Sequence, residues 1–179
     1  MRWGLVIVGS LTLAACDSSG TQPAGTQPLR APSQEAAGNE VVLRAQGLVA
    51  GPEAFYFSAG RNEVEAAMTA ILGEPVERSE NAECGTGPMA FTQYSGGVIV
   101  NFQSGNLVGW NTSDAQGASR VAGDVQIGTT REGVAEVKSF APVEGSTLGD
   151  EFALGDAMGG FFEGDQVVML YAGAQCFFR

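Results

Sequence analysis

The chain contains no histidine, and only 9 Lys and Arg stand against 20 Asp and Glu. Without histidine it lacks the commonest general base and the commonest metal ligand, so Ser-His-Asp, Cys-His and His-zinc chemistry are closed to this chain alone. The shortage of cations leaves a formal charge of −11, which a phosphate lattice repels, so nucleic acid is not expected as a partner. Long apolar runs are missing as well. The most prominent covers roughly a dozen residues near the N terminus, where about 20 are needed to cross a bilayer core. Cysteine is scarce, at 3 in 179 residues, so each one has to be accounted for. The length suits one ordinary domain rather than two.

What is present begins with an address. Met1-Arg2-Trp3 supplies one positive charge, Leu5 to Leu13 an apolar stretch, and Ala14-Ala15 a small-residue segment, which is the layout of a secretory signal peptide. Leu13-Ala14-Ala15-Cys16 then resembles the lipobox of bacterial lipoproteins, whose cysteine is lipidated on sulfur and becomes the mature N terminus. The resemblance implies a signal peptide over 1–15, lipidation (palmitate) at Cys16, and a chain anchored to a membrane and facing the periplasm. One acyl chain binds a membrane marginally and two hold stably; lipoproteins of this family carry three. Asp17 follows the cysteine, and in some enteric bacteria an aspartate there retains lipoproteins in the inner membrane. That rule varies between bacteria, so inner and outer membrane both stay open.

Residues 16–40 comprise the lipidated cysteine and a tether. Residues 17–40 hold no aromatic side chain and a near repeat, Gly20-Thr21-Gln22-Pro23-Ala24-Gly25-Thr26-Gln27-Pro28. Such a segment buries too little apolar area to offset its conformational entropy. As a coil it would span on the order of 25–30 Å, and about 80 Å when stretched.

From Val41 the composition becomes that of a globular domain, 41–179. Val41-Val42-Leu43 and Phe55-Tyr56-Phe57 read as strands separated by a turn at Ala50-Gly51-Pro52. Val64, Ala67, Met68, Ile71 and Leu72 share one helical face, with Asn62 and Glu65 as a capping box and Gly73 and Pro75 as the stop. Segments 89–94, 98–103 and 106–110 alternate, and Gly96-Gly97 and Ser104-Gly105 join them as hairpins. A meander with a helix packed on it is the expected assembly.

An internal echo runs through the domain. Phe57-x3-Arg61-x2-Val64 matches Ile127-x3-Arg131-x2-Val134, where Thr129 and Glu132 offer a second capping box. Phe102 to Leu107 is echoed by Phe162 to Val167. The expected fold is therefore α+β, a mostly antiparallel sheet with two helices, in two strand-helix-hairpin half-repeats over 41–111 and 123–179.

A helix opened by a polar turn and closed near Gly-x-Pro, then followed by a meander, resembles the small lipoproteins that assist outer-membrane protein assembly (BamE-like). The tandem form resembles the β-lactamase inhibitory protein fold, which packs two such units into one sheet. The likeness covers roughly 57–110 and more loosely 127–171 and transfers no binding residue. Glu83-Cys84-Gly85-x-Gly87-Pro88, Ser146-Thr147-Leu148-Gly149-x-Glu151-Phe152 and Ala172-Gly173-x2-Cys176-x-Phe178-Arg179 resemble an uncharacterised lipoprotein family of Gram-negative bacteria. That family brings no activity with it.

Cys84 and Cys176 remain once Cys16 is assigned to lipid, and in an oxidising periplasm they form most simply a disulfide. The bond would close a loop of about 92 residues, for which loop entropy gives roughly 4–5 kcal/mol and experience with disulfides ~2–4 kcal/mol. The alternative, a redox-active or nucleophilic Cys84, has no CxxC spacing, histidine or nearby lysine behind it. Gly85-x-Gly87-x2-Ala90 matches a dinucleotide fingerprint in letters only, because a strand rather than a helix is expected after it. Asn111-Thr112-Ser113 matches the glycosylation pattern and reads as an ordinary loop. Asp150, Glu151, Asp156, Glu163 and Asp165 lack EF-hand spacing and read as a solvated acidic face. No metal or other cofactor is expected.

Paired aromatics at 55–57, 161–162 and 177–178 leave two readings. Either alternate members fill the core while their neighbours lie under loops, or one sheet face carries an aromatic binding surface. Phe55, Phe57, Trp110 and Phe161 are the candidates for that surface. The functional expectation is a non-catalytic protein-interaction or envelope-assembly module with an envelope protein as partner. The alternatives are a small-ligand-binding periplasmic module and, with less behind it, a hydrolase using carboxylates or a hydroxyl without histidine. A Cys16→Ser variant should leave the membrane fraction for the soluble periplasmic fraction; retention with membranes would remove the anchor assignment.

Overall fold

Runs of β-branched and aromatic residues broken by glycine turns determine the layout. The structure, a computed structural model, describes residues 38–114 and 117–177; the signal segment, Cys16 and the tether up to residue 37 lie outside them. Strands β1 (Val41–Arg44), β2 (Gly47–Ala50) and β3 (Glu53–Tyr56) form an antiparallel meander. The turn at Gly51-Pro52 is as expected, with Gly51 at φ 58°. The tight reversal at Ala45-Gln46 adds β2, where the sequence suggested no separate strand.

Helix α1 (Arg61–Leu72) buries Val64 and Met68 completely and ends at Gly73, whose φ is 83° and whose N–H reaches Thr69 O. The expected capping box of Asn62 and Glu65 does not form. The helix begins one residue before Asn62, so the cap residue is Gly60, which has no side chain to bond with. Glu65 instead accepts from Thr92 on the sheet. Then come β4 (Glu77–Asn81), β5 (Met89–Tyr94), β6 (Val98–Gln103) and β7 (Asn106–Thr112), an antiparallel meander. Strand β8 (Ser119–Val121) returns to pair parallel with β1, completing a four-stranded sheet of order β3-β2-β1-β8.

Helix α2 (Arg131–Ala135) is capped by Thr130, which accepts from Gly133 N–H. The sequence pointed to Thr129, whose hydroxyl oxygen instead accepts from Gln126 N–H. Strands β9 (Phe140–Pro142), β10 (Asp150–Leu154), β11 (Met158–Glu163) and β12 (Gln166–Gly173) form a second antiparallel meander. β12 pairs antiparallel with β7, joining both meanders into one sheet of order β4-β5-β6-β7-β12-β11-β10-β9. The fold is α+β, mostly antiparallel, with two helices and the Cys84–Cys176 disulfide.

The two helix-meander units make the same contacts. Arg61 N–H bonds Gly105 O and Arg131 N–H bonds Asp165 O, while Leu107 N–H reaches Ala59 O and Val167 N–H reaches Thr129 O. Each arginine lies over a phenylalanine ring, Arg61 over Phe102 at 5.1 Å and Arg131 over Phe162 at 4.1 Å. A register shift precedes each of those phenylalanines, between Asn101 and Phe102 and between Phe161 and Phe162. These shared contacts begin at residues 59 and 129.

Between the four- and eight-stranded sheets lies one core. Trp110, fully buried on β7, donates its indole N–H to Arg44 O at 2.8 Å and Gly47 O at 3.0 Å, so a residue of the large sheet holds the β1–β2 turn of the small one. Glu65 ties α1 to the large sheet. It accepts from the fully buried Thr92 hydroxyl at 2.6 Å and from Arg61 Nε at 2.8 Å, and Arg78 approaches at 3.3 Å. Burial pushes the Glu65 carboxyl up, but the Thr92 hydroxyl, Arg61 and Arg78 together outweigh it and hold the carboxyl below its ordinary 4.5. A depressed carboxyl stabilises the fold fully above its unfolded value, and the contribution is lost as pH falls through the folded one. Glu65→Gln should therefore cost about 1–2 kcal/mol at neutral pH. The gap from wild type should close below the ordinary 4.5, as urea midpoints across pH would record.

Candidate functional site

Strand alternation sorts every residue of the eight-stranded sheet to one of two faces. Val98, Val100, Phe102, Trp110, Phe152, Phe162 and Leu170 face the core and the helices. The opposite face carries Glu77, Ser79, Phe91, Gln93, Ile99, Asn101, Asn111, Tyr171, Met169, Phe161 and Glu151, and no described helix packs on it. None of those positions is a lysine or arginine.

Two of the four aromatic candidates are corrected by this sorting. Trp110 is 0% exposed and Phe55 8% exposed, both within the core, because their strand positions point between the sheets. They cannot be a contact surface. Phe57 is partly buried against the core, and its ring lies where a side chain on Gly173 would have to go. Only Phe161 sits on the helix-free face, half-buried. Its ring lies 5.8 Å from Tyr171 and 5.6 Å from Phe177, and Phe177 meets Tyr171 edge-on at 5.2 Å.

A tail after β12, residues 174–177, crosses this face. Gly109 and Gly173 pair across β7 and β12, and a Cβ on Gly109 would collide with Ala174 O. The missing side chain therefore lets the tail lie directly on the sheet. Gln175 is fixed there: its amide N–H groups reach Trp110 O at 3.1 Å and Ala172 O at 2.9 Å, while its oxygen accepts from Asn101 at 3.0 Å and Asn111 at 3.3 Å. Cys176 bonds Cys84 with Cα atoms 5.0 Å apart, and Asn81 on β4 approaches its sulfur at 3.6 Å. The disulfide thus pins the tail between the edge strand and the aromatic cluster.

Beside the tail the face is hollowed into a cleft of about 300 Å³, lined by Glu77, Ser79, Phe91, Gln93, Asn111 and Phe177 among others. Asn101 lines it too and is 0% exposed. Sequence reading missed this residue and its neighbours. The available signal was an amide among apolar residues, Val98-Ile99-Val100-Asn101-Phe102, at a position alternation sends away from the core.

The remaining motifs separate. The Gly85-x-Gly87 segment is a turn, with Gly87 N–H on Cys84 O, and strand β5 follows it. Asn111 and Thr112 lie within β7 rather than in a loop. The acidic stretch is not uniformly solvated: Asp150 pairs with Arg131, and Glu151 is 3% exposed, accepting at 2.6 Å from both Tyr171 and Ser146 hydroxyls. That carboxylate holds Tyr171 in the aromatic cluster. Glu151 is the one buried acidic side chain among the described residues, and these residues contain no cluster of three or more potential metal ligands. A pair of adjacent buried carboxylates, which a hydrolase of this composition would need, is not formed among them.

No family model, curated protein or solved structure matches the chain.

Replacing Cys84 and Cys176 together by serine should cost about 2–4 kcal/mol in urea unfolding. The wild type without reductant should show neither of these thiols to an alkylating agent, and reduction should reproduce the mutant's stability.

Proposed function

We propose that this protein is a membrane-anchored lipoprotein, lipidated at Cys16, whose folded domain is a non-catalytic interaction module of the cell envelope. The observation that carries the reading is the Phe161–Tyr171–Phe177 cluster, aromatic rings held by the Glu151 carboxylate and the disulfide on a sheet face no described helix covers. Rigid aromatic side chains of this kind dominate contact energies between proteins. The face carries acidic side chains and no described cation, and the chain as a whole is at −11, so its partner presents a basic surface. The absence of histidine from the entire chain accords with a role in binding. The signal-like segment, the cysteine that follows it and the apolar-poor tether support placement at a membrane, facing the periplasm.

A second reading, a module for a small envelope ligand, is favoured by the amide-lined cleft on the β4–β7 half of the same face.

Crosslinking and affinity capture of the tagged, lipidated chain from intact cells should recover one envelope protein in stoichiometric amount. Phe161→Asp should reduce that recovery at least about tenfold, equivalent to about 1.4 kcal/mol, without changing membrane fractionation. Equal recovery by the variant would remove the aromatic cluster from the interaction.

A further inference from the structure

The cleft over β4–β7 is chemically unlike the aromatic cluster beside it. Its floor is built from amides whose hydrogen-bonding capacity is only partly used. Asn101 spends its amide N–H groups on Ala174 O at 2.8 Å and Gln175 Oε1 at 3.0 Å, a pattern that fixes which end of the amide is oxygen. Its Oδ1 is buried and has no hydrogen-bond partner among the described residues. A buried acceptor without a donor is costly and rare in folded proteins, so this one calls for an explanation.

The walls add groups of the same kind. Glu77 and Gln93 face each other across β4 and β5, Ser79 faces Phe91 across the same pair, and no side-chain hydrogen bond within the described residues occupies Glu77, Ser79 or Gln93. Acceptors therefore exceed donors on these walls: the Glu77 carboxylate accepts only, whereas Ser79 and Gln93 can do both. Phe91 on one strand and Phe177 on the tail supply ring surface. At about 300 Å³ the cleft is at the small end of ligand sites, which run from about 300 to 1,000 Å³.

A ligand that fits this lining presents many hydroxyl or N–H donors around its rim and a flat C–H face for a ring, and carries no negative charge. We infer that the cleft binds a neutral saccharide, as a segment of a glycan, with Gln93, Ser79 and Asn111 hydrogen-bonding its hydroxyls and Phe91 packing against its ring face. The assignment rests on the ligand-binding reading above and names the ligand class for it. An anionic sugar is repelled by Glu77 and by the charge of the whole chain. A cationic peptide would meet a single carboxylate in the cleft and leave its amides unused.

The test is titration of the full chain, purified in a detergent without a sugar headgroup, with N-acetylated chitotetraose, cellotetraose and tetralysine, followed by calorimetry. Binding of either tetrasaccharide is expected, weakened about fivefold by Gln93→Ala and about tenfold by Phe91→Leu, with unchanged urea midpoints for Gln93→Ala. Tetrasaccharide binding that Gln93→Ala and Phe91→Leu leave untouched would overturn the assignment of the cleft. Tetralysine binding that is sensitive to Gln93→Ala, with no tetrasaccharide binding, would overturn the saccharide class while leaving a ligand site in place. No binding of any probe at millimolar concentration would overturn both the saccharide and the small-ligand reading.

Discussion

The indole N–H of Trp110, shared between Arg44 O and Gly47 O, is the contact through which the large sheet holds the small one. A fully buried indole needs an acceptor, and the β1–β2 turn provides two carbonyls for it. The contact fixes the height of the small sheet above β7, and with it the slot in which Val64 and Met68 of α1 are buried. Because the small sheet and both helices gather on Trp110's side, the opposite side of the eight-stranded sheet carries no described helix or second sheet. The contrast between the two faces follows from this one-sided core.

That opposite face is held in shape by polar chemistry more than by apolar burial. Gln175 makes four hydrogen bonds from one side chain, joining Asn101 on β6, Asn111 and the Trp110 carbonyl on β7, and the end of β12. Glu151 does comparable work on the other half by accepting from Tyr171 and Ser146. Side chains restrained in this way lose little further freedom on meeting a partner, so contact energy is not spent on ordering them. The cluster of three rings and the amide cleft are thus preorganised by different means, covalent and hydrogen-bonded, along one surface.

Much of this architecture was legible in the residues. The period of Val64, Met68 and their neighbours, the two-residue turns at Ser104-Gly105 and Gly164-Asp165, the cysteine pair and the echo around Arg61 and Arg131 all reflect local rules with strong physical causes. What escaped is what tertiary context decides. β4, Glu77-Arg78-Ser79-Glu80-Asn81, has no apolar alternation and is a strand only because β5 offers it a ladder. β8 pairs with β1 across nearly eighty residues of chain, which no local pattern encodes. Trp110 and Phe55 were ambiguous because alternation tells which residues share a face and not which face is wet. The caps lie outside the expected boxes because α1 begins at Arg61, which puts Asn62 inside its first turn, and because Thr129 accepts from Gln126 N–H while Thr130 caps α2.

The two outer strands of the large sheet have a further consequence. β4 exposes three charged side chains in five residues, and β9 is only three residues long and ends in Pro142, which has no N–H to donate. Strands of this make-up are poor templates for a neighbouring chain. Eight strands are enough to seed a growing ribbon, yet neither side of this one invites a ninth. Molecules of this protein crowded together should not polymerise edge to edge through the large sheet.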